Sequence, residues 1–204
     1  MIIDTHAHFT PQAMLASLKS EADQFPNVEL LHQDDSYQLV FAGRSPTRPL
    51  SPKLRETEQR LTWMDEQSID QQIVGGWLDS FGYELPGEEG EAWSRFLNEF
   101  QMNGTDNNSR LTPLATVPLQ DGNRAAKVLK EALAGGFKGT MIGTQPKGNE
   151  GNLDDPDLDP FWEAANDLGA TIYLHPMFGC GDTRLLDYDM INAVGRGTDT
   201  TTAV

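Results

Sequence analysis

The stretch Ile2-Ile3-Asp4-Thr5-His6-Ala7-His8-Phe9 decides how this chain is read. Its first half is apolar enough for a strand, and Pro11 separates it from a helix-compatible segment over residues 12–22. Side chains two apart on a strand share a face, so regular alternation projects Asp4, His6 and His8 together, opposite Ile3, Thr5 and Ala7. Two imidazoles on one strand suit a metal ion, because neutral imidazole is a good ligand for zinc and related cations and a strand fixes both rings without ordering a loop. Two solvated histidines at a strand end give the same His-x-His spacing, so the rest of the chain has to discriminate.

Working outward, residues 25–52 are rich in Pro, Asp, Gly and Ser without a sustained period and read as a long loop or irregular insertion. Leu54, Leu61 and Met64 then fall at helical spacing within residues 53–67, and residues 69–77 read as a second strand ending in glycines. The alternation continues with a helix at 91–101, a strand at 112–117, a helix at 124–134 that Gly135-Gly136 stops, and a strand at 137–142. Pro160 opens a helix to residue 168, and residues 170–175 form a fifth strand.

Strands alternating with helices imply parallel pairing through crossovers, in an open doubly wound sheet or an eightfold β/α barrel. Periodicity does not separate the two. The nucleotide-binding form of the open sheet needs a glycine-rich turn after the first strand, and here that turn carries His6-Ala7-His8-Phe9, which favours the barrel. A whole barrel takes roughly 250 residues and eight strands. The expectation is therefore an α/β fold of the TIM (β/α)8-barrel type, one domain over residues 1–204, C-terminally truncated with five of the eight units.

Barrel active sites form at the C-terminal ends of the strands. His8 stands at that end of the first strand and His175 at that end of the fifth, just before Pro176. Alone, His175 fits a hydrogen-bonded structural histidine; with His6 and His8 on the same rim, three of the chain's four histidines favour a metal site. The fourth, His32, lies beside Gln33-Asp34-Asp35 and reads as solvated.

Composition narrows the partners. Asp and Glu number 31 against 15 Lys and Arg, and a formal charge of -16 repels a phosphate backbone, so nucleic acid is a poor partner and the acidity speaks to solubility. No apolar run is long enough to span a membrane, and Met1-Ile2-Ile3-Asp4 lacks the pattern of a secretory signal, which makes the cytoplasm the expected compartment. Cys180 is the only cysteine, forms no intrachain disulfide, and reads as incidental. The glycines around Lys138 lack the Gly-x-x-x-x-Gly-Lys-Ser/Thr order of a phosphate cradle.

Ile3-Asp4-Thr5-His6-Ala7-His8-Phe9 resembles the opening of the amidohydrolase-related proteins that include aminocarboxymuconate-semialdehyde decarboxylase and the γ-resorcylate and related aromatic-acid decarboxylases. Further segments are similar in the same order: Arg60 with Met64-Asp65 and Ile69-Asp70, Ala115-Thr116-Val117-Pro118, Gly136-Phe137-Lys138-Gly139, Leu158 with Pro160-Phe161-Trp162, and Leu174-His175-Pro176. The resemblance implies a barrel whose His6, His8 and His175 hold zinc or another divalent ion. It also implies a metal-dependent decarboxylase (carboxy-lyase) acting on a small unsaturated or aromatic carboxylic acid. The alternatives are a metal-dependent hydrolase of a lactone or amide, and a catalytically incomplete barrel fragment that binds metal or a partner chain; homo-oligomers fit any of these. The family's late Asp ligand and its acid/base His have no counterpart in these residues.

Other site roles follow from the same resemblance. Arg44 and Arg48 lie where the family can place an arginine that grips the substrate carboxylate through paired hydrogen bonds, with a solvated loop role as the competing reading. Trp77 either lines the pocket or fills the core. Asp4 either accepts a ring N–H from a metal-ligating histidine or serves as a structural strand-end carboxylate. Asp65 and Asp70 read as capping or turn residues.

Overall fold

The elements of the computed structural model, which describes residues 1–106, 108–147, 151–177, 183–187 and 190–204, alternate strand and helix for most of the chain. In order they are β1 (Ile3–His8), α1 (Gln12–Ser20), β2 (Val28–Gln33), β3 (Ser36–Phe41), α2 (Thr57–Glu66), β4 (Gln71–Gly75), α3 (Gly87–Thr105) and β5 (Leu111–Pro113). There follow α4 (Gly122–Ala134), β6 (Gly139–Gly143), α5 (Asp159–Leu168), β7 (Thr171–His175) and α6 (Arg196–Thr202).

β1, β4 and β5 form one parallel sheet in that order, and β6 and β7 pair in parallel beside it. Ala115 joins the two: its N–H donates to Gly139 O at 2.9 Å and its carbonyl accepts from Met141 N at 3.0 Å. Spatial order thus follows chain order across all five strands, without the reversal that defines a doubly wound sheet. The curl is visible at the ends of the array, where His6 on β1 and His175 on β7 bring their ring centroids to 5.1 Å. This is a partial β/α barrel.

The helices pack outside in the usual amphipathic way. α4 and α5 bury Val128, Leu129 and Phe161 in one cluster with Ile142 of β6, while α2 lays Met64 on Ala7 and Val74. Asp121 caps α4 by accepting from Arg124 N at 3.1 Å. α5 ends at Gly169, whose φ of +58° is the left-handed conformation a helix C-terminus favours.

The insertion at residues 25–52 is ordered rather than irregular. β2 and β3 form an antiparallel hairpin turned by Asp34 and Asp35, with Asp34 at φ +54°. Val28, Leu39 and Phe41 bury against Met14 and Leu18 of α1 and Trp93 of α3, building a second core beside the barrel. The strand expected at 112–117 shortens to β5 plus the Ala115 bridge, with Leu114 N still donating to Val74 O of β4 at 2.9 Å.

Candidate metal centre

His6, His8 and His175 converge, each offering a ligand nitrogen, with those atoms all within 4.8 Å of one another. The Nε2 atoms of His6 and His8 are 3.3 Å apart. Two nitrogens bound to one tetrahedral zinc at about 2.0–2.1 Å would be separated by roughly that distance. His8 Nδ1 lies 2.9 Å from Gly76 O and His175 Nδ1 lies 2.8 Å from Pro176 O. A carbonyl only accepts, so both rings carry the proton on Nδ1 and present the Nε2 lone pair inward. Burial lowers the pKa of both rings, that of His175 to about 4, and keeps them neutral. Neutral imidazoles with lone pairs facing one another at this spacing fit a divalent cation.

Asp4 does not share their face. Between Asp4 and Ala7 the register with β4 slips: Asp4 pairs with Gln72 and Ala7 with Val74, so that two residues of β1, Thr5 and His6, stand against one of β4, Ile73. Gln72 and Val74 point the same way, toward α2, so this bulge turns Asp4 and Ala7 outward while His6 and His8 face in. Asp4 Oδ2 accepts from Gln72 Nε2 at 2.7 Å and Oδ1 from the His6 backbone N–H at 3.1 Å. The two described ring N–H acceptors are the carbonyls of Gly76 and Pro176.

A cleft of about 340 Å³ is lined by Arg44, Arg48, Asp79, Tyr83 and Met177, while His6 and His8 line a separate one with Arg60, Trp63 and Gln72. Met177 is two residues past His175, and the Asp79 charge bears on the His8 ring. The segment carrying the arginines runs back along β3, where Thr47 N donates to Leu39 O at 2.8 Å and Leu39 N to Thr47 Oγ1 at 2.9 Å. Arg48 holds Asp79 through Nε at 2.9 Å and Nη2 at 3.0 Å, and its guanidinium lies 5.7 Å from the Trp77 ring centre. Trp77 itself is buried in the second core.

Of the remaining residues singled out in the sequence, Asp65 accepts from Arg110 Nη1 at 2.7 Å and Asp70 accepts from the Ile2 N–H at 2.5 Å. His32 is exposed and stacks on Tyr37 at 4.2 Å. Cys180 lies outside the described residues. Sequence reasoning assigned no site role to Tyr173, whose ring is 5.4 Å from His6, nor to Asp79, Tyr83 or Gln72. Tyr173 precedes His175 by two on β7, so alternation alone places it on the inner face.

A β/α barrel with imidazoles gathered at the C-terminal mouth of its strands defines a class of metal-site enzyme scaffold. The chain belongs to the amidohydrolase family, whose model matches residues 3–203. It is 24% identical over 204 residues to the 2-amino-3-carboxymuconate-6-semialdehyde decarboxylase of Dictyostelium discoideum, covering 99% of this chain and 56% of that protein. The fold is similar to the apo crystal structure of Metarhizium anisopliae IDCase, with a TM-score of 0.74 and 23% identity, covering all of this chain and 59% of that one. It is also similar to the 5-carboxyvanillate decarboxylase of Novosphingobium aromaticivorans complexed with manganese and 4-hydroxy-3-methoxy-5-nitrobenzoic acid: TM-score 0.69, 20% identity, covering 100% of this chain and 58% of that one. The chain spans less than two thirds of the length of the relatives it matches. No helix among the described residues is long and apolar enough to cross a membrane.

Proposed function

We propose that this chain supplies the metal-binding half of a decarboxylase acting on a small unsaturated or aromatic carboxylic acid. The observation that carries the reading is the inward convergence of His6, His8 and His175, with the outer N–H groups of His8 and His175 fixed by carbonyls. These three residues would hold a divalent cation, zinc or manganese, which when bound acts as a Lewis acid and lowers the pKa of a coordinated water toward about 7. Arg48 and Arg44 line the Asp79 cleft and would orient the carboxylate, Arg48 with the two parallel N–H groups it now gives to Asp79. Trp77 beneath Arg48 keeps that guanidinium in place. In the reaction the bond from carbon to the carboxyl group breaks, its electron pair stays on the carbon, a proton is taken up there and carbon dioxide leaves.

Metal analysis of the purified protein tests the centre, with the expected result one equivalent of divalent cation that a His6→Ala/His8→Ala variant loses. Carbon dioxide release from carboxylated aromatic and muconate-like compounds then tests the chemistry. Opening of a lactone or amide without carbon dioxide release would place the chain among hydrolases.

A second reading rests on the ends of the array. β1 is paired only to β4 and β7 only to β6 among the described residues, and Ile2, Ile3 and Trp63 are exposed near the free edge of β1. Such an edge is a template for another strand. In this reading a partner chain contributes further strands. Light scattering of the purified protein decides it: a monodisperse monomer counts against association with a second copy.

A further inference from the structure

We infer that Arg60, Gln72 and Asp4 form a clasp on the outer side of β1 that sets the positions of His6 and His8, making them positioning residues for the metal centre. The inference rests on the metal-site reading above. Arg60 leaves α2 and reaches through the helix layer, donating from Nη1 to Gln72 Oε1 at 2.6 Å and from Nη2 to the carbonyl of His8. Gln72 passes the link on through Nε2 to Asp4 Oδ2 at 2.7 Å, and Asp4 Oδ1 accepts the backbone N–H of His6 at 3.1 Å. One unbroken chain of side chains therefore grips the N–H of one ligand residue and the carbonyl of the other.

The bulge explains why such a grip is needed. Thr5 and His6 fall in the bulge, outside the register with β4, and there the Asp4 carboxylate supplies the acceptor for the His6 N–H. Packing alone does not account for the arrangement. Arg60 is only 8% exposed, its Nε has no hydrogen-bond partner among the described residues, and its acceptors are an amide and a backbone carbonyl, with the Asp4 carboxylate acting on it only through space. Burying a guanidinium under those terms is unfavourable relative to an apolar side chain at the same position. What it gains is the orientation of the strand end from which His8 projects. Its ring-face contact with Phe9, 5.2 Å from the centroid, holds the guanidinium at the residue that follows β1.

The test compares Arg60→Met, Asp4→Asn, the double variant and Arg60→Lys with the wild-type chain. Two readouts are used: the dissociation constant for manganese(II) by calorimetry, and hydrogen exchange of the His6 amide in the metal-free protein. Met64→Ala, a packing change in the same helix and the same layer, is the control for general destabilisation. Expected are a 10–100-fold weaker manganese affinity in each single variant, a double variant weaker by less than the product of the two, and partial recovery in Arg60→Lys. The His6 amide should exchange faster in both single variants, while Met64→Ala lowers the melting temperature and leaves affinity within twofold. Should Arg60→Met fail to fold, Asp4→Asn decides the matter, since it removes a charge without changing volume. Affinity within twofold of wild type together with unchanged His6 exchange overturns the inference. A wild-type chain that binds no manganese sinks the metal-site reading instead, and the clasp then stands or falls on His6 exchange alone.

Discussion

The ring centroids of His6 and His175 lie 5.1 Å apart although their strands stand at opposite ends of a five-strand array. The contact spans the barrel interior, so the metal centre depends on curvature and not on any one strand pairing. In the proposed centre, His175→Ala removes one of three ligands and leaves the two from β1. Metal affinity should fall by on the order of a hundredfold or more, about 3 kcal/mol, as befits a site whose whole affinity comes from a few ligands. Equilibrium dialysis measures it, and an unchanged dissociation constant would remove His175 from the ligand set.

Curvature in turn depends on how closely β6 approaches β7. A Cβ on Gly139 would sit 2.0 Å from the carbonyl oxygen of Thr171, a backbone atom that cannot swing aside. Gly139→Ala should wedge the two strands apart and cost about 1–3 kcal/mol in urea unfolding. Because His175 ends β7, metal affinity should weaken in the same variant. Stability loss with affinity intact would show that the strand end does not move with its base.

Between α3 and α4, Glu91 is a nearly buried carboxylate held by Arg95 at 2.6 Å, Arg124 at 2.5 Å and Lys127 at 2.7 Å. The hydrogen bond from Lys127, with those from Arg95 and Arg124, lowers its pKa from 4.5 to about 2 despite burial. A carboxylate with a depressed folded pKa adds stability that is fully present above the unfolded value and is lost as pH falls through the folded one. Glu91→Gln should therefore destabilise by on the order of 2 kcal/mol at pH 7, with the gap from wild type closing between pH 4.5 and pH 2. Urea titrations at pH 7, 4 and 3 follow it, and a gap that stays constant over that range would refute the ion-network account.

The β/α order was legible because buried parallel strands leave compact apolar runs between glycines and helix caps, as at Ile73-Val74 and Ile172 to Leu174. The three imidazoles were legible because strand-end positions can be read from those runs. The hairpin at β2 and β3 was not: Leu30 and Leu31 are adjacent, which breaks the period of two, and the turn is Asp34-Asp35 rather than an Asn-Gly pair. Nor was the face of Asp4, since a bulge is set by the neighbouring strand and leaves the alternation in the sequence unchanged. Arg60 was visible only as part of a family resemblance, because an arginine four residues before Met64 reads from sequence as a solvated helix position.

Arg48 and Asp79 give a pair of substitutions with opposite signs. Asp79 is only 8% exposed at its side chain and occupies both parallel N–H groups of Arg48, so a carboxylate ligand entering the cleft must compete with it. Arg48→Met should weaken binding of an aromatic carboxylate such as 2,6-dihydroxybenzoate to the metal-loaded protein by about 10–100-fold, the worth of a charged bidentate contact. Asp79→Asn should tighten it, because the competing charge is gone while the side-chain volume is kept. Arg48→Met leaves His6, His8 and His175 unaltered, so its dissociation constant for the metal should stay within a few-fold of wild type, while Asp79→Asn also removes a charge that acts on the His8 ring and should weaken metal binding if anything. Calorimetric titration with the acid and with its uncharged methyl ester separates charge from shape: only the acid should respond to both substitutions. Equal affinities in all three proteins would assign Arg48 to holding the loop against Asp79, with the carboxylate gripped elsewhere.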